Sequence, residues 1–156
     1  MSLSLISSDN PILHTKCVEV TDIKSQVLPY YMDMLQIIND NDALGISANQ
    51  VGLNYRFFIF KWIFLRVAIN PVVIRHGKEI FINKEGCLSY PLQTADVERF
   101  TVMDVEYTNL SGNKEVKTLK REAAFIFNHE LDHLNGITIF DKKLTINDLL
   151  SINNKS

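Results

Sequence analysis

Cysteine is scarce in this 156-residue chain, which has two, Cys17 and Cys87. Two isolated thiols exclude a disulfide framework and fit a reduced, intracellular setting. An excess of either charge is missing too. Lys and Arg number 16 against 18 Asp and Glu, a formal charge of −2. That balance excludes a strongly basic nucleic-acid or membrane-surface protein. Long hydrophobic runs are absent. The most apolar stretch, Phe57 to Ile69, contains Lys61 and Arg66 and is shorter than the ~20 residues of a membrane helix. The opening Met-Ser-Leu-Ser-Leu-Ile-Ser-Ser has no charged leader or apolar block, so no signal peptide is expected and the chain reads as cytoplasmic. Gly and Pro, 6 and 4 in number, are scattered without a linker, repeat or low-complexity tract. A single domain over residues 1–156 is expected. What is present fits a folded domain: 46% apolar and 22% charged residues, in a chain long enough to bury about 68–70% of its unfolded surface.

Apolar residues at Ile23, Val27, Tyr30, Tyr31, Met34, Leu35, Ile37 and Ile38 predict an amphipathic helix over Ile23 to Asn39. Pro29 either kinks it or opens its well-formed part. Arg56 to Phe60 and Ile63 to Ile69 read as strands ended by Asn70-Pro71. Phe100 to Tyr107, a turn at Asn109 to Asn113 and Glu115 to Leu119 predict a hairpin. A second helix is expected from Arg121 to Leu134, with its stop at Asn135-Gly136. Ile137 to Phe140 reads as a short strand, and the polar tail as a short or frayed helix. The fold class is α+β: antiparallel strands and hairpins packed around a central helix.

That helix contains His129-Glu130-Leu131-Asp132-His133. Residues at i and i+4 share a helical face, so both imidazoles can hold one metal ion, with Glu130 beside them as a base for water. Composition alone predicts about 0.005 His-Glu-x-x-His strings in such a chain, so chance is a poor explanation. A hydrolytic site needs a third protein ligand. Glu85-Gly86-Cys87-Leu88-Ser89 offers Cys87, read here as a loop residue, with Gly86 giving a tight backbone and Pro91 ending the segment. Alone, such a Cys reads as a small buried hydrophobe; it gains meaning because the helix lacks a third ligand. One thiolate and two imidazoles suit zinc or ferrous iron better than calcium or magnesium. A third segment, Gly45 to Gly52, has small residues that admit a close backbone and an amide at Gln50. By itself it reads equally as a helix-to-strand turn.

Together the three segments resemble the peptide deformylase family: a Gly-rich segment ending in Gln, then Glu-Gly-Cys-Leu-Ser, then Gln-His-Glu-x-Asp-His-Leu. The second motif is intact here. The third has Asn128 for Gln, and the first has Ala43 for Gly and Ser47 for Ala. Thr94 stands where many members have Arg. The resemblance implies removal of the N-formyl group from N-terminal formylmethionine of nascent chains, with release of formate. It implies Cys87, His129 and His133 as metal ligands and Glu130 as the proton carrier. The Gln50 amide and the Leu88 N–H become oxyanion donors. The family favours ferrous iron, with zinc, nickel or cobalt as substitutes. It adds its substrate like a strand, for which Gly45 and Gly86 leave room. Leu44, Ile46, Phe125 and Ile126 are the candidate lining of the methionine pocket. Some members dock on the ribosome through a long C-terminal helix. This chain, with 20 residues after Gly136, reads as a compact form without it, which puts ribosome contact in question.

Two other functions compete. One is a His-Glu-x-x-His peptidase cutting internal bonds, against which the upstream Cys87 argues. The other is an inactive relative that binds formylated chains, against which Glu130 argues. His14 and His76 read as surface histidines and Cys17 as a buried thiol. Phe57, Phe58, Phe60, Trp62 and Phe64 read as strand core. The charges from Lys114 to Glu122 read as a solvated turn and helix start.

Overall fold

In the computed structural model, residues 2–153 are described, with side chains to Ser151. The expected first helix is two helices, α1 (Ile23–Gln26) and α2 (Leu28–Asn41). Pro29 lies in the first turn of α2, where its missing N–H costs nothing, so the second of the two readings of Pro29 holds. The chain bends at Val27, whose backbone is not helical (φ −124°, ψ −57°). Met34 and Ile38 are the buried positions of α2.

Strands β1 (Gly45–Ser47), β2 (Phe57–Trp62), β3 (Phe64–His76), β6 (Val102–Thr108) and β7 (Lys114–Lys120) form one antiparallel sheet in the order β1-β2-β3-β6-β7. Strands β4 (Ile80–Cys87) and β5 (Tyr90–Phe100) form a separate antiparallel pair. The β6–β7 hairpin matches the sequence reading. The stop at Asn70-Pro71 does not hold, because β3 runs on to His76 through an irregularity between Ile69 and Val72. Asn70 adopts φ 49° there, and its amide spans the backbone N–H and C=O of Val20. A side chain that supplies its own bonding lets a strand absorb a Pro at a bulge.

The β4–β5 pair has no counterpart in the sequence reading. Its residues alternate weakly in polarity, so period two is hard to see. Cys87 therefore ends a strand and does not sit in a free loop, Gly86 pairs with Thr94 inside it, and Pro91 lies in β5. Ile137 to Phe140 form no strand; Ile139 and Phe140 lie in a turn.

Helix α3 (Glu122–Leu134) lies on the five-stranded sheet. Phe127 meets Phe58 and Phe60 edge-to-face at 5.0 and 5.3 Å between ring centroids, a favoured aromatic geometry. Leu131, Leu134 and Tyr107 complete this layer. Gly136 ends α3 at φ 74°, and a Cβ there would stand 2.7 Å from the His14 backbone, so only glycine fits. Within the aromatic run, Phe57, Phe58 and Phe60 are fully buried, but Phe64 is 70% exposed, so the core reading fails for it. Cys17 is buried, as expected. Helix α4 (Ile146–Asn153) ends the described chain. No helix among the described residues is long and apolar enough to cross a membrane.

Candidate functional site

Helix α3 sets His129 and His133 one turn apart, and β4 brings Cys87 to them from the other sheet. One ligand atom from each of the three lies within 4.8 Å of the others. Cys87 Sγ is 3.2 Å from His133 Nε2. Burial, followed by the charges of His129 and Arg99, holds His133 well below the usual histidine range. It is thus a neutral imidazole, the form that binds metal. Burial also opposes charge on His129, but hydrogen bonds to Cys87 and Glu85 overcome it and raise the ring to about 10. The surroundings thus favour positive charge beside Cys87. A soft thiolate, two imidazoles and this local preference for a cation fit a divalent transition metal.

Glu130 is buried next to them, with Oε1 3.8 Å from His129 Nε2 and Oε2 without a hydrogen-bond partner. Burial raises its carboxyl to about 7, with the His129 charge opposing and Glu85 adding to the rise. A cation on the three ligands favours its carboxylate form. A Cβ on Gly45 would stand 3.0 Å from the Ile59 carbonyl oxygen and 3.1 Å from Glu130 Cγ. Glycine at this position is what lets β1 pass so close to the carboxylate.

Gln50 lies on a 3-10 turn (Ala48–Val51) that follows β1. Its Nε2 donates to Ser89 Oγ at 3.0 Å and faces Cys87 Sγ at 3.4 Å. Its Oε1 accepts from the Ser47 N–H at 2.9 Å and the Ser47 hydroxyl at 3.1 Å. Ser47 is fully buried. It therefore orients Gln50 from within the fold. Asn49 Nδ2 donates to the His133 carbonyl at 2.5 Å, tying this turn to α3.

Sequence reasoning missed the charged layer beneath Cys87, His129 and His133. Arg99 is 2% exposed. Its Nε and Nη2 each donate to Glu85 at 2.8 Å, and Nη1 donates to Asp132 Oδ2 at 2.6 Å. Glu85 Oε1 also meets His129 Nδ1 at 2.9 Å, and Lys142 Nζ donates to Asp132 Oδ1 at 2.9 Å. Burial alone would push Glu85 up; Arg99 and His129 overcome it and hold it at about 2. One signal for Arg99 was in the sequence. It continues the inward register of Ala95 and Val97, where an apolar residue is expected.

A cavity of about 890 Å³ opens above Cys87 and His129, within the usual range for ligand sites. Leu44, Gly45, Gly86, Leu88, Phe125 and Ile126 line it, with Cys87, His129, Glu130 and Gln50 on its floor. Ile46, expected among them, is fully buried with Met34 and Ile38 beneath β1. Strand alternation turns it away from its neighbour Gly45, so it is core. Phe125 stacks on Phe81 at 5.5 Å, and the Arg121 guanidinium lies 4.9 Å above Phe81. Arg121 is thus a wall of the cavity as well as a helix start. The outer edges of β1 and β4 are both unpaired in the sheet order.

A family model described as Polypeptide deformylase matches residues 3–148. Over 152 residues the chain is 36% identical to a peptide deformylase of Finegoldia magna, covering 95% of this chain and 94% of that protein. It is 32% identical over 146 residues to peptide deformylase 1B, chloroplastic, of Solanum lycopersicum, spanning 90% of this chain and about half (52%) of that longer protein. The crystal structure of the peptide deformylase from Thermotoga maritima superposes with a TM-score of 0.89 at 29% identity, over 93% of this chain and 99% of that one. These matches run through all three motif segments and the strands that bring them together: the chain belongs to the polypeptide deformylase family, whose members are metal-dependent.

Proposed function

We propose that this protein hydrolyses the formamide of N-terminal formylmethionine on nascent polypeptides, giving formate and a free amine. The observation that carries the reading is the convergence of Cys87, His129 and His133 beside Glu130, in a cavity that Cys87, His129 and Glu130 line.

Cys87, His129 and His133 would hold one divalent ion, with ferrous iron favoured and zinc, nickel or cobalt as substitutes. When bound, the ion supplies a Lewis acid that polarises the formyl oxygen and acidifies water. The Glu130 carboxylate, whose Oε1 lies 3.8 Å from His129 Nε2, takes the proton that water loses as its oxygen adds to the formyl carbon. Glu130 then gives that proton to the amine nitrogen as the C–N bond breaks. Gln50 Nε2 and the Leu88 N–H face the oxygen that gains negative charge. Ser47 and Ser89 fix the Gln50 amide in advance, so little reorganisation is needed. The methionine side chain enters the cavity against Phe125 and Ile126. The free edges of β1 and β4 bond the peptide backbone as an added strand. Main-chain bonding of this kind accepts many downstream sequences, as a processor of nascent chains requires.

We read residues 1–156 as one catalytic domain acting in the cytoplasm. Co-sedimentation with translating ribosomes tests ribosome contact. The function itself is tested by incubating metal-replete protein with formyl-Met-Ala-Ser and assaying formate. Release of formate with the rest of the peptide intact is expected. Absence of formate, or cleavage of an internal peptide bond, overturns the reading.

A further inference from the structure

Beyond α3 the chain turns back over the strand pair that carries Cys87, and the proposed catalytic steps make no use of that return. The Ile137 N–H donates to the Asp132 carbonyl at 2.9 Å, which ties the start of the return to the helix. Thr138 and Asp141 close a turn, with the Thr138 N–H donating to Asp141 Oδ2 at 2.8 Å. The turn sets Ile139, 2% exposed, against Ala95 and Val97, and Cys87 and Phe140 pack on the same cluster. Phe140 meets Tyr90 edge-to-face at 4.9 Å, and Tyr90 is the register partner of Cys87. The Leu144 N–H then donates to the Asp96 carbonyl at 2.9 Å. The β4–β5 pair shares no ladder with the five-stranded sheet. The distance from Cys87 to the two histidines is therefore set by packing and bonds such as these.

Lys142 adds a charge to the return. Its Nζ donates to Asp132 Oδ1 at 2.9 Å, while Arg99 donates to the other oxygen. The carboxylate on α3 is thus held from two sides, by β5 through Arg99 and by the return through Lys142. The buried layer holds two carboxylates, Glu85 and Asp132, and without Lys142 the Arg99 guanidinium would have to balance both. A buried charge left short of a partner is costly, so Asp132 would compete with Glu85 for Arg99. With Lys142 in place, two Arg99 donors stay on Glu85, and Glu85 stays on His129 Nδ1. The contacts run unbroken from Lys142, through Asp132, Arg99 and Glu85, to a proposed ligand.

We infer that residues 137–144 brace the Cys87 strand against α3, and that Lys142 is a positioning residue for the metal centre, a role that rests on the metal site proposed above. Positioning and charge act in opposite directions here. A positive charge near a cation site opposes cation binding, so its removal alone tightens binding. Loss of positioning loosens it. Partners that orient metal ligands are worth about 10–100-fold in affinity, and Lys142 acts at one remove beyond them.

Zinc affinity of the metal-stripped full chain, measured by chelator competition, tests the brace. Lys142→Met keeps the stem and loses the ammonium, and is expected to bind zinc about threefold to tenfold more weakly. Lys142→Arg restores charge and donor and is expected to recover most of that loss. Lys143→Met makes the same charge change at the exposed neighbour, and is expected to bind zinc at least as tightly as the wild type. Urea unfolding verifies that the metal-free variants are folded. Lys142→Gln, expected to weaken binding in the same direction, replaces Lys142→Met if the latter is not. Binding by the Lys142 variant that equals or exceeds the wild type overturns the brace. So does a weakening that Lys143→Met reproduces or that Lys142→Arg leaves unrepaired. Each of these outcomes leaves the deformylase reading standing, since formate release by the wild type judges that reading separately. No zinc bound by the wild type overturns the brace together with the proposed metal site.

Discussion

Glu85 Oε1 lies 2.9 Å from His129 Nδ1, while the same carboxylate takes two hydrogen bonds from the buried Arg99. The residue two positions before Cys87 thus orients another of the proposed ligands. A carboxylate on the far nitrogen fixes the ring and its tautomer, and such partners are typically worth about 10–100-fold in metal affinity. Glu85→Gln is expected to weaken metal binding by about that factor, measured by chelator competition. It also leaves Arg99 without one of its two carboxylates at 1% side-chain exposure, a loss of about 3 kcal/mol on the scale of broken buried pairs. Urea unfolding of the metal-free protein measures that cost.

The same carboxylate sets an acid limit. Glu85 is held at about 2 in the folded protein, below the ~4.3 of a free glutamate. Its contribution to stability is therefore complete above the unfolded value and is lost as the pH falls from there towards 2. Melting temperature measured from pH 7 down to pH 3 is expected to fall more steeply for the wild type than for Glu85→Gln. Parallel curves contradict this assignment.

Gly45→Ala tests the close approach of β1 to Glu130. Its Cβ meets the Ile59 carbonyl oxygen at 3.0 Å and Glu130 Cγ at 3.1 Å, so the carboxylate has to move. The shift needed is only a few tenths of an ångström; since about 1 Å at a reacting group costs about 10²-fold in rate, a fall in kcat of about threefold to tenfold is expected, with metal content retained. A variant with wild-type kcat shows that Glu130 tolerates the shift.

Ser47 and Gln50 separate positioning from direct action. Ser47→Ala keeps the backbone N–H that holds Gln50 Oε1 and loses only the hydroxyl. Its effect on kcat/KM is expected to stay within about threefold. Gln50→Ala removes the amide itself, and a loss of about 10²–10³ in kcat is expected for an oxyanion donor. Similar effects for the two would mean that Gln50 acts only through its packing.

The convergence of Cys87, His129 and His133 was readable in the sequence because the His spacing is local on α3 and the Glu-Gly-Cys-Leu-Ser motif is contiguous. The helix itself was readable for the same reason: its stripe of Ala124, Phe127, Leu131 and Leu134 has one period throughout. The β4–β5 pair was not, since its exposed face and short buried register leave little alternation to see. Arg99 escaped because its partners, Glu85 and Asp132, come from a strand and a helix that only the tertiary fold brings together. Asn70-Pro71 misled because a bulge bonded to Val20 carries the strand past residues that usually stop one. Ile46 misled because β1 is three residues long and its alternation, not its nearness to Gly45, decides its face.

Replacement of Glu130 by Gln, assayed on formyl-Met-Ala-Ser with metal content measured in parallel, bears most directly on the proposed chemistry. Gln keeps the shape and burial of the side chain but cannot carry the proton. The account predicts one metal ion per chain in both proteins, and a fall in formate release of about 10²–10⁴-fold in the variant. Formate release by Glu130→Gln at the wild-type rate, with metal in place, would contradict it.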